Sequence, residues 1–339
     1  MKALQITAPG DVRLIELPPP EPQRGEVRVR VRRGGYCGSD LSTFRGANPL
    51  VSYPRVPGHE LGGVVDAIGA DTAGAPAPGT PVLIVPYTAC GKCSACRQNR
   101  LNCCRYNQTL GVQREGGLAE FICVPTEKLL TAPGLDFAEL AMVEPLTVGF
   151  HAVARGRVTA RDVVAVLGCG AIGLGAIAGA SARGARVIAV DLDAQKLALA
   201  RAAGATETIN TATENLHERL QALTDGHGPE VIVEAIGLPQ TFRAAVEEVG
   251  FAGRVVYIGY AKAPVEYETK LFVQKELDVF GSRNATREDF AAVIAHLQAK
   301  RFPVTAAITR VAAIDAAPAA MRDWAAQPAA FTKIQVEFP

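Results

Sequence analysis

The stretch VVAVLGCGAIGLGAIAGASARGARVIAVD, residues 163–191, decides the fold. It opens on a continuous aliphatic run, turns through Gly168, Gly170 and Gly173, and closes on a second aliphatic run that ends in Asp191. Continuous apolar runs are strands buried on both faces, and the Ala- and Gly-rich segment between them is a helix lying on those strands. A strand, a Gly-x-Gly-x-x-Gly turn, a helix and a second strand ending in an acid form a dinucleotide-binding unit. The glycines allow a tight turn, bare backbone beside a pyrophosphate and close helix–strand packing, while the helix N-terminus attracts phosphate. Gly168, Gly170, Ala171, Ile172 and Gly173 are therefore expected at the pyrophosphate and Asp191 at the adenine ribose, with Lys196 helping to seat the adenosine. Asp191 and Asp193 would repel a 2′-phosphate and no arginine directly follows, so NAD is expected rather than NADP.

The pattern continues outward. Short aliphatic runs such as EVIVEAIG (230–237) and GRVVYIGY (253–260) alternate with helical stretches expected at 194–203, 214–223 and 239–248. This is an α/β chain with a doubly wound, Rossmann-type domain over 151–285. Gly259, Arg283 and Asn284 follow its last strands and are further candidates for the cofactor site. Residues 1–150 have a different texture: short β segments between Gly and Pro turns, carrying seven of the eight cysteines. A helix at 286–299 and the closing FTKIQVEFP read as a return to this β-rich domain, completing it with 286–339.

Composition bounds the function. Lys and Arg total 35 against 34 Asp and Glu, so no net charge draws the chain to nucleic acid or an anionic membrane. The N-terminus lacks a signal-peptide core, and the most apolar stretch, 163–182, is interrupted by five glycines, so no membrane span is expected. A cytoplasmic location follows, where eight cysteines point to metal or reactivity before disulfides.

Within TACGKCSACRQNRLNCCRYNQ (88–108), Cys90-x2-Cys93-x2-Cys96-x7-Cys104 supplies four thiolates, a closed tetrahedral set of the structural zinc kind. A ferredoxin-type run would want its fourth sulfur at position 100, which is Arg100. Elsewhere, Cys37 in GGYCGSD and the adjacent His59-Glu60 in VPGHELGG are the thiolate, imidazole and carboxylate that zinc takes in catalytic sites.

The chain resembles the zinc-dependent medium-chain dehydrogenase/reductase family over nearly its whole length. The match rests on CGSD (37–40), Gly58-His59-Glu60-x-x-Gly63-x5-Gly69, the cysteine lobe, EPLTVGFHA (144–152) and GCGAIG (168–173). The resemblance implies a GroES-like catalytic domain, with the active site in a cleft between it and the Rossmann domain. It implies two zinc ions per chain. Cys37 and His59 would bind the catalytic one, with Glu144 as third ligand, since no second cysteine lies between Cys123 and Cys169. Glu60 would stand close by, as an exchanging ligand or a tuning group. The family's spacing selects Cys104 over Cys103 for the structural zinc. Ser39 matches the hydroxyl that takes the alcohol proton, although Ser42 stands where many relatives carry a histidine relay.

The expected reaction is oxidation of a secondary alcohol of a polyol or sugar acid, with hydride transfer to NAD. Threonine dehydrogenase-like or simple secondary-alcohol activity is the competing enzymatic reading, and an inactive zinc- and NAD-binding protein the non-enzymatic one. Phe44, Arg45, Tyr53 and Arg114 are candidates for lining the substrate pocket. A homodimer or homotetramer is implied by the same resemblance.

Overall fold

Six parallel strands form the sheet around segment 163–191, in the spatial order Glu207–Asn210, Arg186–Asp191, Val163–Leu167, Val231–Glu234, Arg254–Tyr257 and Asp278–Gly281. The chain builds outward on one side of Val163–Leu167, then crosses back to build on the other, which makes the sheet doubly wound. Its central strands have no solvent face: Val164, Val166, Val187, Ala189, Val231 and Val233 are all fully buried. Helices Ala171–Ala182, Ala194–Ala202, Leu216–Leu223 and Pro239–Glu248 are the crossovers. Asp193 and Asn215 cap two of them, accepting backbone N–H bonds from Gln195 and Lys196 and from Glu218.

The computed structural model describes residues 1–339, and the chain divides into Met1–Glu144 with Val304–Pro339, and Pro145–Pro303. Pro145 lies inside helix Phe137–Arg155, so the chain passes from one unit to the next where a backbone donor is missing.

The first unit is β-rich. Strands Ile308–Ala313, Lys333–Glu337, Glu26–Gly35, Glu60–Ile68, Pro81–Ile84 and Leu129–Leu130 follow one another, and Phe121–Pro125 pairs with Glu26–Gly35 as well. A hairpin of Lys2–Ala8 and Asp11–Glu16 completes its β structure. Its core gathers Val27, Val29, Val31, Leu61, Val65, Leu118, Ile334 and Val336, so the C-terminal strand is integral to it.

One expectation needs correction. Helix Arg287–Gln298 belongs with the parallel sheet, not with the closing segment, and the division falls after Pro303. Phe290, Val293 and Leu297 are buried, His296 meets the Phe150 ring edge-on at 5.5 Å, and Asp289 shares a 2.8 Å hydrogen bond with His151. Helix Phe137–Arg155 is long and apolar enough to cross a membrane by length and composition, and 78% of its most apolar window is buried inside the protein.

Burial alone would raise the pKa of Asp289, but its bonds to His151 and Thr286 outweigh that and lower it. Asp289→Asn is expected to cost about 1–3 kcal/mol at neutral pH. A group with a depressed folded pKa contributes above the unfolded value, about 3.9, and loses that contribution as pH falls through the folded value. Thermal unfolding should therefore separate the variant from the parent at pH 7, with the gap closing below about pH 4.

Candidate active site

Strand register assembles the site. Glu26–Gly35 runs antiparallel to Glu60–Ile68 with Gly35 opposite Glu60, so Cys37, two residues beyond Gly35, meets His59, one residue before Glu60. Gly35 has to be glycine: a Cβ there would stand 1.9 Å from Glu60 Oε2. Gly58 turns the chain into His59 with φ +103°, and a Cβ there would lie 2.5 Å from Leu118 Cγ. The Cys37 N–H donates to Asp40 Oδ2 at 2.9 Å, which caps the helix Gly38–Phe44 and fixes the cysteine at its start. As a result the Cys37 sulfur, a His59 ring nitrogen and a Glu60 oxygen lie within 4.8 Å of one another.

The surroundings are dry. His59, Glu60 and Glu144 are 5%, 0% and 5% exposed. Burial pushes Glu60 up to about 7, assisted by the Glu144 charge and opposed by Lys333. Lys333 donates to both Glu60 oxygens at 2.7 Å and to the Tyr36 carbonyl at 3.0 Å. Burial would lower the His59 pKa, yet Cys37, Asp40 and Glu144 together raise it well above its usual value. Glu144, on helix Phe137–Arg155, is outside that group of three, but its charge acts on His59 and Glu60 and it accepts a hydrogen bond from the Tyr87 hydroxyl.

Three buried polar atoms here have no hydrogen-bond partner: His59 Nδ1, Asp40 Oδ1 and Ser39 Oγ. Buried polar atoms are nearly always satisfied, so a cluster of orphans marks a place built for a ligand. One thiol, one imidazole and buried carboxylates are the donor set of a catalytic zinc site, and they fit that ion.

The second sulfur group is separate. Cys90, Cys93, Cys96 and Cys104 converge within 4.8 Å, with sulfur separations of 3.5 Å for Cys93–Cys96 and 4.0 Å for Cys90–Cys96 and Cys93–Cys104. These spacings exceed a disulfide bond of about 2.05 Å and suit four sulfurs around one ion. Backbone N–H groups aim at the sulfurs, from Cys90 and Tyr106 to Cys104 and from Cys93 to Cys90. Such donors, those of Arg105 and Cys96 foremost, hold the Cys93 thiol down to about 6. Cys103 is outside the group, and its sulfur accepts from Arg100 at 3.7 Å.

In the other unit, Gly168 has φ +98°, and a Cβ on Gly173 would stand 1.8 Å from the Gly168 carbonyl oxygen. No atom lies within 4 Å of the Cβ position of Gly170, so bare backbone faces open space at the start of the helix that Ala171 and Ile172 begin. The Asp191 carboxylate is braced by N–H bonds from Cys169 at 2.8 Å, Leu192 at 2.8 Å and Asp193 at 3.0 Å. Lys196 is in the first turn of the helix capped by Asp193. Gly259 packs on Glu234, where a Cβ would meet Oε2 at 2.5 Å; Arg283 is exposed, and Asn284 is left-handed with φ +54°. Cys169 is buried with its thiol toward the Val190 carbonyl.

The candidate pocket residues of the first unit have other duties. Phe44 is core, the Tyr53 hydroxyl donates to the Thr43 carbonyl, and Arg45 donates to the Ala325 carbonyl at 2.6 Å. Arg114 is half-buried with Nε and Nη2 unpartnered. Sequence reading missed Lys333, Tyr87 and Asp40. The one signal for Lys333 was a lysine opening an apolar strand; Tyr87 carried none beyond lying three residues before Cys90.

The chain is similar to known proteins along most of its length. A model of the alcohol dehydrogenase GroES-like domain matches residues 23–134, and one described as zinc-binding dehydrogenase matches 171–299. The chain is 34% identical to L-galactonate-5-dehydrogenase of Escherichia coli, over 81% of this chain and 80% of that one. It is 31% identical to sorbitol dehydrogenase of Halalkalibacterium halodurans, over 91% and 92%. A solved Escherichia coli structure described as a short chain alcohol dehydrogenase complexed with NADH superposes with TM-score 0.91 at 31% identity, covering 100% of this chain and 99% of that one.

Removing one partner of a buried ion pair costs about 3–5 kcal/mol, whereas replacing both can be nearly neutral. Lys333→Met should lower stability by that much in chemical denaturation, and Lys333→Met with Glu60→Gln should recover most of it.

Proposed function

The chain belongs to the zinc-type alcohol dehydrogenase family, and from that premise we propose that it oxidises a secondary alcohol of a polyol or sugar acid, with NAD as hydride acceptor. It is an oxidoreductase; the substrate class is the inference. The observation that carries it is the buried group of one thiol, one imidazole and Glu60, with a second buried acid, Glu144, whose charge acts on His59 and Glu60. A zinc ion held by Cys37, His59 and an acid would act as a Lewis acid, bringing the pKa of a bound hydroxyl toward neutrality. NAD on the glycine turn would supply the hydride acceptor.

The chain's own groups do the rest. Ser39 Oγ, buried and without a partner, would accept a hydrogen bond from the substrate hydroxyl and relay its proton by releasing its own toward the cofactor ribose or water. Glu144 offers a carboxylate to a neighbouring hydroxyl, which favours a vicinal diol over a simple alcohol. Lys333 neutralises Glu60, so the site is not overcharged. Bare backbone at Gly170 admits the pyrophosphate, and the braced Asp191 carboxylate accepts from ribose hydroxyls. Cys90, Cys93, Cys96 and Cys104 would hold a second zinc as a closed structural staple. Free cysteines fit a reducing cytoplasm. A homodimer or homotetramer is proposed on the family resemblance alone.

The test is NAD reduction across polyols, sugar acids, threonine and simple alcohols, with zinc counted per chain. Turnover on polyols or sugar acids with two zinc per chain is expected; turnover on ethanol or threonine alone would overturn the substrate class. Cys37→Ser should stay folded, keep one zinc and lose turnover. Cys93→Ser should lose the other zinc and melt earlier, because structural zinc contributes folding energy directly.

A further inference from the structure

The two buried acids of the site have different partners. Glu60 faces an ammonium, with Lys333 Nζ at 2.7 Å from each oxygen, so that pair is neutral as a unit. Glu144 accepts a hydrogen bond from the hydroxyl of Tyr87. Tyr87 is 7% exposed, so its hydroxyl finds its acceptor inside the protein. A buried tyrosine hydroxyl needs an acceptor and a buried carboxylate needs donors, so each fixes the other.

The backbone of Tyr87 is held just as firmly. It follows strand Pro81–Ile84 and precedes Thr88, whose N–H donates to Asn107 Oδ1 at 3.1 Å and whose hydroxyl accepts from the Gln108 N–H at 2.7 Å. Those bonds close the base of the loop that carries Cys90, Cys93, Cys96 and Cys104.

We infer that Tyr87 is a positioning residue: its hydroxyl fixes one Glu144 oxygen, and with it the orientation of the carboxylate that the site would offer to a divalent cation. This rests on the zinc dehydrogenase reading given above. It ties the sulfur lobe to the chemistry, since the closed base of that lobe sets where Tyr87 stands.

Tyr87→Phe keeps the ring and removes the donor. The test places cobalt(II) at the Cys37 site of the full chain with the four-thiolate zinc retained. Visible absorption, chelator competition and steady-state kinetics are then compared for the parent, Tyr87→Phe, Glu144→Gln and the double variant. Groups that orient metal ligands typically carry about 10- to 100-fold in metal affinity or activity. Tyr87→Phe should weaken cobalt binding by about that factor and shift the visible bands. Its kcat should fall more than its KM changes, and it should add nothing to Glu144→Gln, because both act through one carboxylate. Unchanged affinity and bands in Tyr87→Phe, beside an impaired Glu144→Gln, would overturn the role of Tyr87 alone. Effects that multiply in the double variant would also overturn it. If Glu144→Gln itself binds cobalt and turns over polyols like the parent, the site reading falls, and the role of Tyr87 with it.

Discussion

The rest of the site depends on the pairing of Glu60 with Lys333. An uncompensated carboxylate in a fully buried position costs several kcal/mol, so the first unit can place Glu60 beside Cys37 and His59 only by bringing a cation to it. That cation comes from the far end of the chain, 273 residues away, on the strand Lys333–Glu337. The same ammonium also holds the Tyr36 carbonyl, one residue before Cys37. A single side chain thus ties three segments of the site together. The glycine at 35 is the steric counterpart of this bond, since any side chain there would occupy the place of the carboxylate.

The two sulfur-bearing regions divide the labour. Four of the eight cysteines lie in a loop where backbone N–H groups point at sulfur and no position is left open, which is an arrangement for holding shape. Cys37 stands apart, at the start of a helix, with acids and an imidazole around it and polar atoms awaiting a partner. On the reading proposed above, the most conspicuous sulfurs are structural, and the inconspicuous one stands where chemistry is possible. Thr88 and Asn107 show how the regions meet, because the loop that the sulfurs close begins at the residue after Tyr87.

What was legible in the sequence was what short stretches encode. The glycine turn and Asp191 lie within one strand–helix–strand unit, so their spacing alone places them, and the parallel sheet followed from alternating aliphatic and helical runs. Cys37 and His59 were legible through their motifs, and the structure adds the register that joins them. Lys333 was not legible, because nothing local in TKIQVEF says which buried acid it answers. Tyr87 and Asp40 were missed for a similar reason: one reads as the end of a β segment, the other as a turn residue. Helix Arg287–Gln298 was assigned to the wrong unit because its amphipathic pattern is the same whichever core it packs on, and the bond to His151 that decides the matter spans 138 residues. Helix Phe137–Arg155 escaped notice because Glu139, Glu144 and Pro145 interrupt its apolar run.

The central claim is that this one chain builds two metal centres of different kinds. Anomalous scattering recorded on both sides of the zinc absorption edge, from crystals of the purified protein, tests it most directly. The account predicts two peaks per chain, one enclosed by Cys90, Cys93, Cys96 and Cys104 and one beside Cys37, His59 and Glu144. A peak at the four cysteines with none beside Cys37 and His59, in protein that oxidises polyols, would contradict it.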